Sequence, residues 1–283
     1  MPGNNLMNRH VHQRIGHSVT FTQPKRQSFR MNLLSKLAFT IVGTCLLQAC
    51  SDKKIELAVP SISDYMPLTV GKYITYRLDS TNITKFGADT AVTHYRVREL
   101  LDAEITDALG RKAYRMLRTI SDSSGQAPYI NNNTFMISPQ STDWIERVEN
   151  NLRFMSLRSP VMESFEWKGN SFIDASSINS PVRYLYDWNY KYQDIGKPFT
   201  VRGKTYENTI TILQRDEEFP EGPFSPSQPY KQWDYSIEVY AKGVGLIYKN
   251  FDHKVWKDPA PDSSRGYWED GSYRVVMVAI DNN

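Results

Sequence analysis

The strongest constraint on the fold is a repeated two-residue alternation of apolar and polar side chains in short segments that end at turn residues. In DYSIEVYAKGVGLIYKNF (234–251), Tyr235, Ile237 and Val239 alternate with Ser, Glu and Tyr. Such alternation places successive side chains on opposite faces of a β-strand. Glycine tolerates the positive φ of a tight turn, so the turn is expected around Gly243. The segment is therefore predicted to form an antiparallel hairpin.

The same period recurs along the chain after residue 64. Residues 73–78 alternate, the pair Asn150–Asn151 can occupy the positive-φ positions of a tight turn, and the apolar run YRVVMVAI (273–280) is typical of a buried strand. We predict an all-β or mainly β protein, with an antiparallel half-barrel or barrel-like sheet and room for one or two short helices. A β-sandwich is the alternative arrangement of the same strands.

Residues 94–109 fit two patterns. Val97, Leu101 and Ile105 form a helical stripe, but the same segment also alternates as a strand would. The turn-like sequence DALGR (107–111) leads into another alternating segment, which favours a hairpin over a helix.

A row of aromatic residues offers the main candidate for ligand binding. In RYLYDWNYKYQ they occupy every second position, so on a strand they would share one face over roughly 26 Å; they are Tyr184, Tyr186, Trp188, Tyr190 and Tyr192. One interpretation is a sealed core face with cross-strand aromatic packing. The other is the wall of an open cavity that stacks sugars or lines a lipid groove, because the four tyrosine hydroxyls would each need a partner if buried.

Signals for catalysis, metal binding or a cofactor are weak. The sequence contains neither Gly-x-Ser-x-Gly nor His-Glu-x-x-His. His94 is expected on a solvated strand face and His253 in a turn. Asp216, Glu217, Glu218 and Glu221 fall in a segment with four prolines (215–232), which is typical of a solvated acidic loop. We therefore assign no catalytic residue, metal site or cofactor.

The first fifty residues have the features of a processed leader. Lys36 precedes a largely apolar segment of eleven residues (37–47). As a helix these would extend roughly 16 Å, about half of the ~30 Å hydrocarbon core of a bilayer, which indicates a signal peptide rather than a membrane span. We predict that Met31 is the start of translation, that residues 1–30 are an upstream extension and that residues 31–49 are the signal peptide.

The end of this leader resembles the lipobox of bacterial lipoproteins. Leu47, Ala49 and Cys50 match its aliphatic, small and cysteine positions, and Gln48 departs from the usual residue. The resemblance implies cleavage between Ala49 and Cys50, a diacylglyceryl group on Cys50, and fatty acyl chains such as palmitate. Stable membrane anchoring takes two such chains.

Two further motifs resemble uncharacterised Gram-negative envelope lipoproteins: PLTVG (67–71) before the first strand, and the DxxGR-type turn at 107–111. Ser51 is not the aspartate that retains such proteins in the inner membrane. The expected location is the outer membrane, with the periplasmic face slightly favoured over the cell surface. Residues 50–63 would form a tether and residues 64–283 a single β-rich domain.

Charge and cysteine content exclude other classes. The leader holds six of the 34 basic residues and no acidic ones, so its removal leaves 28 basic residues against 31 acidic ones, a net charge of −3. Nucleic-acid binding is therefore not indicated, because it requires a positively charged surface that neutralises phosphates. Cys45 and Cys50 are the two cysteines of the chain, which excludes a disulfide framework in the β-rich domain.

These observations predict a lipid-anchored, non-enzymatic protein that binds an amphipathic or apolar ligand, or an envelope partner, through an aromatic-lined sheet face. A glycan-binding surface lipoprotein is the alternative, and a hydrolase that uses loop carboxylates is a weaker one.

Overall fold

The computed structural model describes residues 59–258 and 265–283. The predicted upstream extension, signal peptide, cleavage site and lipidated Cys50 lie outside these residues, as does most of the tether.

The regular secondary structure of the described chain is almost all β-strand. One short helix, α1 (Ile62–Tyr65), precedes the strands, with Ser61 as its N-cap. The strands are β1 (Tyr73–Thr84), β2 (Asp89–Thr106), β3 (Lys112–Asp122), β4 (Ile130–Gln140), β5 (Trp144–Glu149), β6 (Leu152–Arg158), β7 (Glu166–Trp167), β8 (Tyr190–Val201), β9 (Lys204–Phe219), β10 (Tyr230–Ala241), β11 (Gly245–Lys257), β12 (Tyr267–Trp268) and β13 (Tyr273–Asn282). Within the described ranges, no helix is long and apolar enough to cross a membrane.

The strands form one antiparallel sheet, in the order β6-β5-β4-β3-β2-β1-β13-β11-β10-β9-β8-β7, and β12 pairs with β11 off this path. The last strand, β13, lies between β1 and β11, so the two ends of the domain meet in the middle of the sheet. The sheet curls until it is nearly closed into a barrel. The predicted mainly β, barrel-like antiparallel fold is confirmed.

Hydrogen bonds join the two outer edges of the sheet. The Met155 amide on β6 donates to the Gly169 carbonyl just after β7 (2.8 Å), and Trp167 Nε1 donates to the Met155 carbonyl (2.8 Å). The hydroxyl of Tyr192 contacts both the carbonyl (2.8 Å) and the amide (3.0 Å) of Arg158. These bonds satisfy backbone groups that would otherwise form exposed sheet edges.

Several predicted hairpins are confirmed. Residues 94–109 lie mainly on β2, which pairs with β3, so the hairpin and not the helix is correct. The connecting turn is held by Asp107, whose Oδ1 accepts from the Leu109 and Arg111 amides at 2.9 Å each. Asn150 and Asn151 have φ of 53° and 63°, and Gly243 has φ of 75°, as their turns require.

Two predicted segment boundaries are wrong. The stretch 184–192 is not one strand: Arg183–Leu185 is a 3₁₀ turn, Asp187 has a positive φ, and the strand begins at Tyr190. The period of two therefore breaks before the strand starts. The Pro-rich loop is also shorter than 215–232, because β9 continues to Phe219 and pairs with β10 from Gln232 onward.

Candidate functional site

A cavity of about 290 Å³ lies inside the curled sheet. Nine strands contribute to its wall, from both halves of the strand order, and residues 150, 184, 185 and 188 complete it. Its lining comprises Leu78, Arg118, Arg147, Glu149, Asn150, Leu152, Phe154, Ser156, Tyr184, Leu185, Trp188, Tyr190, Gln214, Glu238, Lys249, Phe251, Tyr273, Val275 and Met277.

Much of this lining is apolar and aromatic. Trp188 and Tyr190 are each 2% exposed, and the Trp188 ring stacks on Phe251 with centroids 5.8 Å apart. Phe251 also stacks on Tyr273 at 5.1 Å. The rings and the aliphatic residues of β1 and β13 offer an apolar surface to a ligand body, as small-molecule sites commonly do.

Charged side chains form a second part of the cavity lining. We call this set the charged cluster; it consists of Glu99, Arg118, Arg147, Glu149, Glu238 and Lys249, and all except Glu99 line the cavity.

The bonds of the charged cluster connect its members to one another. Arg118 bonds to Glu99 and lies 3.4 Å from Glu149. Arg147 lies 3.2 Å from Glu99 and 3.1 Å from Glu149. Lys249 Nζ lies 2.9 Å from Glu238 Oε1. Charges taken out of water are tolerated only when paired in this way.

Three members of the charged cluster have pKa values shifted toward their charged forms. Burial alone would raise the pKa of Glu99, but Arg118 and Arg147 more than offset it and lower this pKa to about 2. For Glu238, burial is likewise outweighed by Lys249 and by the Tyr240 hydroxyl, and its pKa is lowered. Burial lowers the pKa of Arg147, but the neighbouring carboxylates, Glu99 first, raise it overall. Glu99, Glu238 and Arg147 are thus ionised at neutral pH, and each is paired with a neighbouring charge.

Residues 183–188, which we call the capping segment, close one side of the cavity. The Tyr184 hydroxyl lies 3.2 Å from the Tyr273 hydroxyl, and the Tyr184 ring stacks on His253 at 4.1 Å. Trp188 Nε1 donates to the Tyr184 carbonyl at 2.5 Å. The segment therefore packs on β11 and β13 rather than extending the sheet.

His253 does not lie in a turn, as predicted, but on β11, where it is 9% exposed. Its Nδ1 donates to Asp234 Oδ1 at 2.6 Å, and Asp234 Oδ2 also accepts from Gln232 at 2.5 Å. Because Tyr184 covers the imidazole face, this pair supports the capping segment. His94 is exposed on β2 beside Asp79, on a solvated face as predicted.

An outer pocket of about 240 Å³ lies against the capping segment. Leu185 and Trp188 line both this pocket and the inner cavity. These two side chains therefore stand between the two spaces.

The structure places the five predicted aromatic candidates in different environments. Tyr184, Trp188 and Tyr190 line the inner cavity. Tyr192 is 0% exposed and bonds to Arg158, and Tyr186 is 58% exposed and lines the outer pocket. The structure thus brings three of the five together and does not form the single aromatic face.

The prediction did not include the charged cluster, although the alternation contains a signal for it. Glu99 lies between Val97 and Leu101 at the spacing of one strand face, and both neighbours are buried. A carboxylate on the apolar face of a strand indicates a buried ionic partner. The partners, Arg118 and Arg147, are on other strands, so their identity was not visible in the local pattern.

The predicted acidic loop is partly strand. Asp216, Glu217 and Glu218 lie on β9, and only Glu221 of the four falls in the loop. Glu218 pairs with Lys231, which is 1% exposed and also donates to the Pro220 carbonyl at 2.5 Å. Among residues 59–258 and 265–283, no three His, Cys, Asp or Glu residues are placed to hold a metal ion.

No family model, curated protein or solved structure matches this chain.

Proposed function

We propose that the sheet is a binding module for a small amphipathic or apolar ligand, which it holds in the inner cavity, and that the protein has no enzymatic activity of its own. The observation that carries this proposal is the cavity itself, whose wall combines aromatic and aliphatic residues with paired charges. An amphipathic molecule places its apolar body against the first and its polar group near the second.

The size of the cavity limits the ligand. Its volume of about 290 Å³ lies near the lower end of the roughly 300–1,000 Å³ range of ligand pockets. A lipid with two long acyl chains is too large for this space. The proposal is therefore restricted to compact molecules, either aromatic or with one short chain.

Binding in the cavity is tested with a cavity-filling substitution. Val275 lines the cavity, whereas Val276, the next residue of β13, does not. We expect Val275→Phe to weaken binding of the small neutral fluorophore 1-naphthol by at least about tenfold, because a ring then occupies the ligand space. The measurement is a fluorescence titration of the purified protein.

The matched control is Val276→Phe, which adds the same ring outside the cavity and should leave the affinity within about threefold of wild type. Equal affinity in both variants would contradict the proposal that the ligand binds inside the cavity. It would favour the glycan-binding alternative, in which a ligand stacks on exposed rings such as Tyr186.

The leader supports a second part of the proposal, namely that Cys50 carries a lipid that anchors the protein to the outer membrane. We expect Cys50→Ser to move the protein from the membrane to the soluble fraction, because the variant lacks the thiol that accepts the diacylglyceryl group. Fractionation with immunodetection measures this. A Cys50→Ser protein that stays in the membrane fraction would overturn the lipid anchor without affecting the cavity.

A further inference from the structure

The charges around the cavity balance one another. Three cationic side chains of the charged cluster are matched by three carboxylates. Glu238 uses its second oxygen to accept from the Tyr240 hydroxyl at 2.7 Å. The side chains are mostly withdrawn from solvent: Glu99 is 3% exposed, Glu238 5% and Arg147 8%. The wall therefore offers a ligand no unmatched charge.

A charged ligand would disturb this balance. A carboxylate entering the cavity would add a fourth negative charge, and it could gain a cation only by taking one from Glu99, Glu149 or Glu238. An ammonium group faces the same difficulty with the opposite sign. An unpaired charge in a water-poor interior is costly, and removing one partner of a buried pair is strongly unfavourable.

An uncharged polar group has no such conflict. Lone pairs and N–H groups of already paired side chains can share an additional hydrogen bond with a hydroxyl or amide. Gln214, Asn150 and Ser156 also line the cavity and are uncharged. Arg118 lies 4.0 Å from the sulfur of Met277, so the polar and apolar parts of the wall are in direct contact. A short molecule can reach both.

We infer that the ligand class of this site is an uncharged amphiphile, with a hydroxyl or amide head and a short apolar or aromatic body, rather than a fatty acid or an amine. This inference rests on the proposed function, since it specifies the occupant of the same cavity. At the ~30 Å³ that one water-sized group occupies, the space holds about ten non-hydrogen atoms.

The test compares three probes of equal chain length: 1-octanol, octanoate and octylammonium. Isothermal titration calorimetry at neutral pH should show that wild-type protein binds 1-octanol at least about tenfold more tightly than either ion. Octanoate or octylammonium binding as tightly as 1-octanol would overturn the inference and leave the proposed function standing. If none of the three probes binds, both the inferred ligand class and the proposed binding function are wrong.

If the balanced charges of the charged cluster cause the preference for the uncharged probe, variants that remove one charge should change which probe binds most tightly. Glu149→Gln leaves one excess positive charge, and octanoate should then become the tightest of the three probes. Lys249→Gln leaves one excess negative charge, so octylammonium should gain instead. The double variant Glu238→Gln/Lys249→Gln removes an ion pair but keeps neutrality, and 1-octanol should again bind most tightly. Unchanged probe order in Glu149→Gln would overturn the inference.

Discussion

Replacing Arg147 with methionine is expected to destabilise the protein by about 3–5 kcal/mol, the range observed when one partner of a buried ion pair is removed. Arg147 holds both Glu99 and Glu149, and its guanidinium lies 4.5 Å from the centroid of the buried Phe135 ring. Methionine fills part of the volume but leaves those carboxylates with Arg118 alone. The free energy of unfolding, measured by urea denaturation, gives the effect.

Arg115→Met provides the comparison on the outside of the sheet. Arg115 pairs with Asp102 at 2.5 Å, but its side chain is 47% exposed. Exposed pairs contribute about 0–1 kcal/mol, so this variant should lose no more than that. If Arg147→Met were as mild as Arg115→Met, the charged cluster would not hold the interior together.

The second large effect is an acid-dependent loss of stability through Glu99. Burial on its own raises the pKa of Glu99 above its ordinary value of 4.5. The opposing effect of Arg118 and Arg147 is larger, and the resulting pKa is about 2. Because the folded-state pKa is depressed, the stabilisation is complete above pH 4.5 and disappears as the pH falls toward 2. The shift corresponds to about 3 kcal/mol.

Urea unfolding of wild type and Glu99→Gln over this pH range measures the contribution. The wild-type advantage should be largest at neutral pH and shrink by about 3 kcal/mol between pH 5 and pH 2, because glutamine does not titrate there. Glu207→Gln, at an exposed position of β9 outside the charged cluster, should follow the wild-type curve. A constant difference between Glu99→Gln and wild type would contradict the role assigned to Glu99.

The strands could be predicted from sequence because their signals are local. Alternation, Asn150–Asn151 and Gly243 each specify a strand or a turn from a few neighbouring residues, and the structure agrees. In residues 184–192 the local pattern does not predict the structure. Its period of two is genuine, but Leu185 and Trp188 are buried by contacts with distant strands, and this tertiary packing overrides the local strand pattern.

The candidate site was only partly predictable. Tyr184, Trp188 and Tyr190 were singled out as aromatic residues and do line the cavity. The charged cluster depends on which strands become neighbours across the interior: Glu99 is 19 residues from Arg118 and 48 from Arg147. Pairing over such separations is set by the closure of the sheet, which no local pattern contains.

The most direct test of the central claim is a crystal structure of the protein soaked with 1-octanol. We expect electron density for one molecule inside the sheet, with its chain between Trp188 and Met277 and its hydroxyl near the Lys249–Glu238 pair. An interior that stays free of the alcohol, or an alcohol bound only on the outer surface, would contradict it.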